Sequence, residues 1–184
     1  MEAFVKRVSR RLWPGVNIEA VGSYRRGQAS SGDIDILIRH KDGKLHSLDP
    51  LKQRLKAVGF LLHDLSNFVT VTSTGMRDGY GRSAYAPLTA HRVDIKVYIV
   101  RCHAFARLYF TGSAYFNRSM RLWVKKKGYS LSDRGLHQAN RVSGTKIHQS
   151  ESQVCLTEED VFKALNELRE PHEPYIEYKP PHER

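Results

Sequence analysis

Two aspartates in alternating register open an aliphatic run. Asp33 and Asp35 begin the stretch 33–38, which alternates polar and apolar residues and then becomes wholly aliphatic. This pattern predicts a strand whose far end is buried. Residues i and i+2 of a strand share a face, roughly 6 to 7 Å apart along the backbone. Two carboxylates so placed can bind divalent ions about 3.5 to 4 Å apart, the separation used for displacement at phosphorus.

A Gly-Ser pair precedes the aspartates and ends the apolar run 18–21. Gly22 and Ser23 there, followed by carboxylates on the next strand, form a pattern suited to a nucleoside triphosphate with divalent metal. Mg²⁺ is the natural ion because it is hard and takes oxygen ligands. The alternative is an Asp-x-Asp pair on a solvated strand face. Asp is disfavoured inside strands and two on one face repel, which favours a bound cation.

A third carboxylate lies near the start of the second strongly strand-like run, residues 92–100. If this strand neighbours the first, Asp94 completes a cluster of three with Asp33 and Asp35. Two carboxylates could then bridge two ions, and the third could bind the ion that activates the attacking hydroxyl. The alternative role for Asp94 is an ion pair with Arg92 or Lys96.

The elements that must position the aspartates form an α+β arrangement. Apolar periodicity predicts helices over residues 4–12 and 50–58 and strands over 16–21, 33–38, 68–72 and 93–100. Residues 75–90 contain three glycines and a proline, which predicts a flexible loop.

A different pattern begins near Cys102. We expect a helix over 103–110, a break at Thr111-Gly112, and a second helix capped by Ser113 that ends in Lys125–Gly128. One arc of that helix is apolar and should pack, whereas the next arc is polar and should face a ligand; the arcs are Phe116, Met120, Trp123, Val124 and Asn117, Arg118, Arg121, Lys125. A small sheet over 129–148 and a helix over 158–168, with Thr157 and Asp160 as a capping box, should follow. Residues 172–184 contain three prolines and predict an extended tail whose partner is unknown.

The composition favours a polyanionic partner. Thirty Lys and Arg against nineteen Asp and Glu give a formal charge of +11, and such a chain attracts nucleic acid, although solubility alone could explain the balance. Two cysteines far apart, without metal-ligand spacing, indicate a reduced intracellular protein. No apolar run is long enough to span a bilayer, so no membrane partner is expected.

Three further segments carry a family resemblance. They are Gly22-Ser-Tyr-Arg-Arg-Gly27, Tyr109-Phe-Thr-Gly-Ser113 with Phe116-Asn-Arg-Ser-Met-Arg121, and 159–165 leading to Arg169-Glu-Pro171. In order and spacing the chain resembles the X family of DNA polymerases over residues 16–173. The resemblance implies an α+β nucleotidyltransferase palm at 1–101, with a mixed β-sheet and helices on one face. A small α/β thumb-like subdomain would follow at 102–184, and no 5′-phosphate or lyase domain is expected.

The resemblance also implies roles for single residues. Asp33, Asp35 and Asp94 would be the catalytic ligands of two Mg²⁺ ions, with Mn²⁺ as an alternative. The remaining residues fall into three groups: triphosphate ligands Ser23, Arg26 and Gly32; sugar and base contacts Tyr109, Phe110, Gly112 and Asn117; and DNA contacts Arg92, Arg118 and Arg121. Among the last group, Arg92 would contact the primer-terminal phosphate and Arg121 the template strand.

The implied function is DNA-directed addition of dNTPs to a primer 3′-hydroxyl in gapped or primer-template DNA, in base excision repair or end joining. DNA ligase and other repair proteins are further expected partners, and the nucleus is the expected compartment for a cellular protein, the cytoplasm or virion for a viral one. Template-independent terminal transfer is one alternative, and Tyr109-Phe110 favours the templated reaction. A non-catalytic DNA-bridging module is the other, and three aspartates facing polyanionic DNA argue against it.

Overall fold

The structure is a computed structural model that describes residues 16–40, 48–66, 77–86, 89–142 and 145–183. It divides into two compact units, Met1–Val100 and Arg101–Arg184. The first unit contains β1 (Asn17–Ala20), α1 (Gly22–Arg25), β2 (Asp33–His40), α2 (Leu48–Ala57), β3 (Leu61–Ser66), β4 (Arg77–Ala86) and β5 (Thr89–Ile99). The chain continues with α3 (Val100–Thr111), α4 (Ala114–Lys126), β6 (Tyr129–Ser132), β7 (Gly135–Val142), β8 (Thr145–His148), α5 (Glu158–Asn166) and a 3₁₀ turn (Pro181–Glu183).

The first unit is built on a five-stranded mixed sheet in the order β1-β2-β5-β4-β3. Strands β2 and β5 are parallel, and the other pairs are antiparallel. The expected α+β fold with a mixed sheet is confirmed. Because side chains alternate along a strand, most aliphatic residues of β2 and β5 fall on one face; Ile36, Ile38, Val93, Ile95 and Val97 are buried there with Leu55 and Phe60. Both aspartates of β2 therefore point to the opposite face.

The prediction of a loop over residues 75–90 is wrong for most of that range. Strand β4 occupies Arg77–Ala86 and pairs antiparallel with β5, so that Gly79 lies opposite Ile95 and Gly81 opposite Val93. Strand β5 is central in the sheet, and its second edge needs hydrogen-bond partners that β4 supplies. Tertiary pairing therefore outweighs the low strand propensity of glycine. The predicted helix 4–12 and strand 68–72 lie outside the described residues.

The second unit combines an antiparallel sheet, β6-β7-β8, with three helices. Its core contains Phe105, Leu108, Val124, Leu136 and Leu165, and the apolar arc of α4 packs against it through Phe116, Met120 and Trp123. That arc was predicted to pack, and the prediction is confirmed. The N-cap of α4 is confirmed as well, since Ser113 Oγ accepts a hydrogen bond from the Phe116 amide at 3.3 Å.

Helix α5 begins with the predicted capping box. The Asp160 amide donates to Thr157 Oγ1 at 3.1 Å, and the Thr157 amide donates to Asp160 Oδ2 at 3.0 Å. The acidic first turn suits the positive end of the helix dipole. In the part of the chain that the structure describes, no helix is long and apolar enough to cross a membrane.

Replacing Thr157 with Ala should lower the free energy of unfolding of the second unit by about 1 kcal/mol, because an amide at the helix start loses its acceptor. Thr157→Ser keeps the hydroxyl and should retain most of the stability. Urea denaturation followed by tryptophan fluorescence measures both variants, since Trp123 lies in this unit. Equal stability of the Ala and Ser variants would contradict the assignment.

Candidate active site

The loop before the aspartates is fitted to the Asp35 carboxylate. The Val21 amide donates to the Asp35 carbonyl at 2.9 Å, which ties the start of α1 to β2. Gly22 follows with φ +65, and a Cβ at this position would lie 2.1 Å from Asp35 Oδ2. Glycine is therefore required at position 22 for two reasons, the left-handed backbone and the close approach of the carboxylate. Gly22 thus determines where the Asp35 side chain can sit.

Two serines close the loop between α1 and β2. Ser23 Oγ lies 2.5 Å from Ser31 Oγ, and the Ser31 hydroxyl donates to the Asp33 carbonyl at 2.7 Å. Exposed Gly32 follows, with open space where a Cβ would stand. Hydroxyls beside accessible backbone suit phosphate oxygens. Sequence reasoning missed Ser31, although its position beside the candidate Gly32 was a usable signal.

The three aspartates lie at one end of neighbouring strands. In the parallel register of β2 and β5, Asp35 lies directly opposite Asp94, and Asp33 lies opposite Arg92. Asp94 is buried with 7% exposure, whereas Asp33 and Asp35 are half-buried. The predicted neighbourhood of the two strands is confirmed, and it places three carboxylates on one face.

Arg92 bridges two of these carboxylates. Its Nη2 contacts Asp33 Oδ2, and its Nε lies 3.2 Å from Asp94 Oδ1. The ion pair left open as an alternative for Asp94 therefore exists and extends to Asp33. Its effect is to reduce the repulsion among the carboxylates.

Burial and like charges oppose ionisation at the centre of the cluster. Burial, reinforced by the charges of Asp33 and Asp94, raises the pKa of Asp35 to about 6. Burial also raises the pKa of Asp94, and the cations Lys96 and Arg92 oppose that rise. Lys96 is itself buried, two residues after Asp94 on the same strand. An additional cation on this face would favour the ionised form of both carboxyls.

The residues fit a divalent metal ion in type and in strand placement. Carboxylate oxygens are the ligands that Mg²⁺ prefers. Asp94 Oδ1 is buried, and its 3.2 Å contact with Arg92 Nε lacks hydrogen-bond geometry. The side chains are not gathered around one point, however. No three His, Cys, Asp or Glu side chains converge on a possible ion anywhere in the described ranges. Arg92 is paired with Asp33 and Asp94, so metal binding at these carboxylates would require the guanidinium to move away.

In the second unit, the candidate base and sugar contacts are engaged with each other. Asn117 Nδ2 donates to the Tyr109 carbonyl at 2.7 Å, and the Arg121 guanidinium lies 5.8 Å from the centroid of the Tyr109 ring. Tyr109 also meets Phe110 edge-on at 5.1 Å. The structure therefore brings Tyr109, Phe110, Asn117 and Arg121 together. Gly112 lies between α3 and α4 with φ +70.

A basic groove of about 560 Å³ runs beside α4. Its helical wall is formed by Arg118, Arg121, Leu122 and Lys125, and the sheet contributes Tyr129–Leu131 and Ala139–Asn140. Cations beside polar side chains suit a phosphate backbone. Ser130 and Asn140 were not identified from the sequence, because neither belongs to a charged or spaced motif.

The raised pKa of Asp35 makes a testable prediction for stability. The folded-state pKa of about 6 exceeds the ordinary value of 3.8, so ionised Asp35 destabilises the fold above about pH 6. Asp35→Asn should therefore raise the free energy of unfolding by about 1–2 kcal/mol near pH 8, less than the full shift implies because the carboxyl is partly solvated.

The gain should shrink as the pH falls from about 6 and vanish below about pH 3, where Asp35 is protonated in both states. Denaturation in the presence of EDTA measures it. Glu151→Gln, which removes one negative charge at an exposed position of the second unit, is the control and should give no gain. A pH-independent effect of Asp35→Asn would refute the electrostatic account.

Comparison with known proteins is consistent with this geometry. Residues 1–99 match the DNA polymerase beta palm family, and residues 106–184 match the DNA polymerase beta thumb family. The chain is 40% identical to DNA polymerase lambda of Rattus norvegicus and 37% identical to DNA polymerase lambda of Arabidopsis thaliana, each over 94% of its length. It is 29% identical over its whole length to DNA-directed DNA/RNA polymerase mu of Homo sapiens.

The chain spans only 31%, 34% and 40% of the lengths of these three relatives. The palm match nevertheless covers more than half of the chain, and the thumb match covers most of the rest. The chain therefore belongs to the X family of DNA polymerases.

Proposed function

We propose that this chain is a DNA-directed DNA polymerase that adds dNTPs to a primer 3′-hydroxyl at short gaps during DNA repair. One observation carries the proposal: Asp35 lies beside Asp94 on adjacent parallel strands, with the Gly22 turn packed against the Asp35 carboxylate. A purely DNA-binding module has no use for such an acidic cluster, because DNA is itself an anion.

In this proposal Asp33, Asp35 and Asp94 hold two Mg²⁺ ions, and Mn²⁺ can replace them. Bound ions would lower the pKa of the primer hydroxyl and neutralise charge that develops on the phosphates. Gly22 keeps the Asp35 carboxylate against the turn. Arg92 must release Asp33 and Asp94 before metal binds, and its exposed guanidinium is then available to the primer-terminal phosphate.

The triphosphate would be bound by the loop between α1 and β2. Ser23 and Ser31 present adjacent hydroxyls, and Gly32 lets the backbone approach a phosphate oxygen. Arg26, directly after α1, supplies a fixed cation with paired donors.

Residues of the second unit would contact the rest of the substrate. Tyr109, Phe110 and Gly112 line the sugar, Asn117 contacts the minor-groove edge of the incoming base, and Arg118 and Arg121 contact DNA. Minor-groove acceptors are nearly alike in all base pairs, so these contacts test the shape of a pair and not its sequence. Binding must exchange the Asn117–Tyr109 hydrogen bond for a contact to the base. Gapped DNA is the proposed partner, and DNA ligase or other repair proteins would act with it.

Primer extension tests the function directly. With Mg²⁺ the wild-type chain should fill a short gap with the complementary dNTP. Asp94→Asn should lower kcat by about 10³-fold, because a group acting on the transition state is lost. Glu151→Gln, at an exposed position of the second unit, is the control for loss of one negative charge and should be as active as the wild type.

Three outcomes would contradict parts of the proposal. Full activity of Asp94→Asn would remove the metal assignment. Equal extension of single-stranded primers would indicate terminal transfer, and tight binding of gapped DNA without any extension would indicate a bridging module.

Gly22→Ala tests whether activity requires the close packing of Gly22 against the Asp35 carboxylate. The added Cβ would meet Asp35 Oδ2 at 2.1 Å, so the carboxylate must move and kcat should fall by about 10²-fold or more. Gly59→Ala is a matched control, because Gly59 has φ +71 but open space around a Cβ. Both variants carry the left-handed backbone strain of about 1 kcal/mol, which a melting curve measures. Equal kcat values for the two variants would show that the contact with Asp35 is unimportant.

A further inference from the structure

The chain after α5 folds back onto the second unit instead of extending from it. Residues 170–178 form a segment that we call the strap. The side chain of Asn166 exchanges two hydrogen bonds with the backbone of Ile176, at 2.9 and 2.8 Å. Arg169 Nε donates to the Pro174 carbonyl at 2.8 Å, and Ile176 and Tyr178 pack against the core. The tail predicted to be extended thus has a partner in its own unit.

The strap is linked to α4 near the start of the helix through aromatic rings. Phe116 of α4 stacks on Phe162 of α5, with 6.4 Å between ring centroids. Tyr178 of the strap meets the same Phe162 ring edge-on at 5.3 Å. Rings in contact transmit displacement because a packed core has little free volume. The first turn of α4 is therefore positioned by α5 and the strap together.

The strap is linked to α4 again at the C-terminal end of the helix. Lys127, the C-cap of α4, places Nζ 2.9 Å from Glu173 Oε2 and 3.6 Å from Glu170 Oε1. The Glu173 side chain is itself used twice, since its Oε2 also accepts from the Glu170 amide at 2.9 Å. The cation is thus held by a preformed acidic turn of the strap.

Lys127 differs from the two lysines before it. Its side chain is only 15% exposed and its Nζ lies 5.8 Å from the centroid of the Trp123 ring, whereas Lys125 and Lys126 are exposed. The hydrogen bond that Lys127 donates to Glu173 raises the pKa of Lys127 and lowers the pKa of Glu173. Lys127 is therefore engaged with the strap and is not available to a DNA phosphate.

We propose that the strap is a brace that positions α4, and that Lys127 is a positioning residue for Asn117 and Arg121. A helix moves as a rigid rod, so a change at its C-cap displaces the face that carries both side chains. Displacements of about 1 Å in substrate-positioning groups can lower rates up to about 100-fold. The inference rests on the proposed function, because Asn117 and Arg121 have a substrate only if the chain handles nucleotides.

The brace makes a prediction that a merely stabilising ion pair does not. A partly exposed ion pair adds little stability, so Lys127→Met should change Tm by no more than about 3 °C. The same variant should raise the KM for dNTP on gapped DNA about fivefold or more, because α4 would no longer present Asn117 and Arg121 correctly.

The matched control is Lys126→Met, which removes the same charge from an exposed neighbour that forms no ion pair with the strap among the described residues. It should leave the KM for dNTP within about twofold of the wild type. The conservative variant Lys127→Arg keeps a cation between Glu173 and Glu170 and should stay close to the wild-type KM. An unchanged KM in Lys127→Met, an equal rise in Lys126→Met, or an equal rise in Lys127→Arg would overturn the proposal.

A fluorescence measurement tests the brace without activity. The chain has two tryptophans, so Trp13→Phe leaves Trp123, beside Lys127, as the single emitter. Lys127→Met and Glu173→Gln should each shift its emission and speed chymotryptic cleavage after Tyr178, which packs against the core, whereas Lys126→Met should do neither. If the wild type extends no primer, the proposed function is wrong, but this measurement still tests whether the strap positions α4. Identical emission and cleavage in all variants would then overturn it.

Discussion

The arrangement of charged side chains in the first unit depends on the repulsion among three carboxylates on two adjacent parallel strands. The register that joins β2 to β5 places Asp35 opposite Asp94, with Asp33 two residues away. Burial and these like charges raise the pKa of Asp35 to about 6. The neighbouring groups are arranged to compensate: Arg92 bridges Asp33 and Asp94, and buried Lys96 adds a second cation. A divalent ion bound to these carboxylates would relieve the same repulsion, because its positive charge favours their ionised form.

Both units keep their candidate substrate contacts occupied by internal partners. Arg92 is bound to two carboxylates, Asn117 to the Tyr109 carbonyl, and Arg121 lies over the Tyr109 ring. Without these internal partners, the polar side chains of an unliganded site would lack hydrogen bonds, which costs free energy. Substrate binding then exchanges one set of contacts for another, so the net affinity depends on the difference between them. The helix that carries Asn117 and Arg121 must hold its position during this exchange. The strap contacts its C-terminal end directly and its first turn through Phe162 of α5.

Short-range sequence patterns predicted much of the secondary structure. The aspartate strand, the Ser113 cap and the capping box at Thr157 follow from interactions within a few residues, and all three were predicted correctly. Strand β4 was predicted wrongly, because Gly79 and Gly81 suggest a loop until β5 is known to lie beside them. Ser31 was missed because its relevance depends on the 2.5 Å approach to Ser23, which lies eight positions earlier in the sequence.

The amino-acid sequence by itself determined which chemistry the chain can carry. The aspartate spacing, the Gly-Ser turn and the motif Tyr109–Ser113 predict nucleotidyl transfer, since alternation along a strand fixes which side chains share a face. Only the tertiary structure decided that Asp35 faces Asp94, that Arg92 neutralises two of the aspartates, and that Lys127 binds Glu173. Asp35 and Asp94 are 59 positions apart in the sequence, as are Asp33 and Arg92, and Lys127 and Glu173 are 46 positions apart. Local propensity holds no information about such pairs, because they arise only when distant strands and helices pack together.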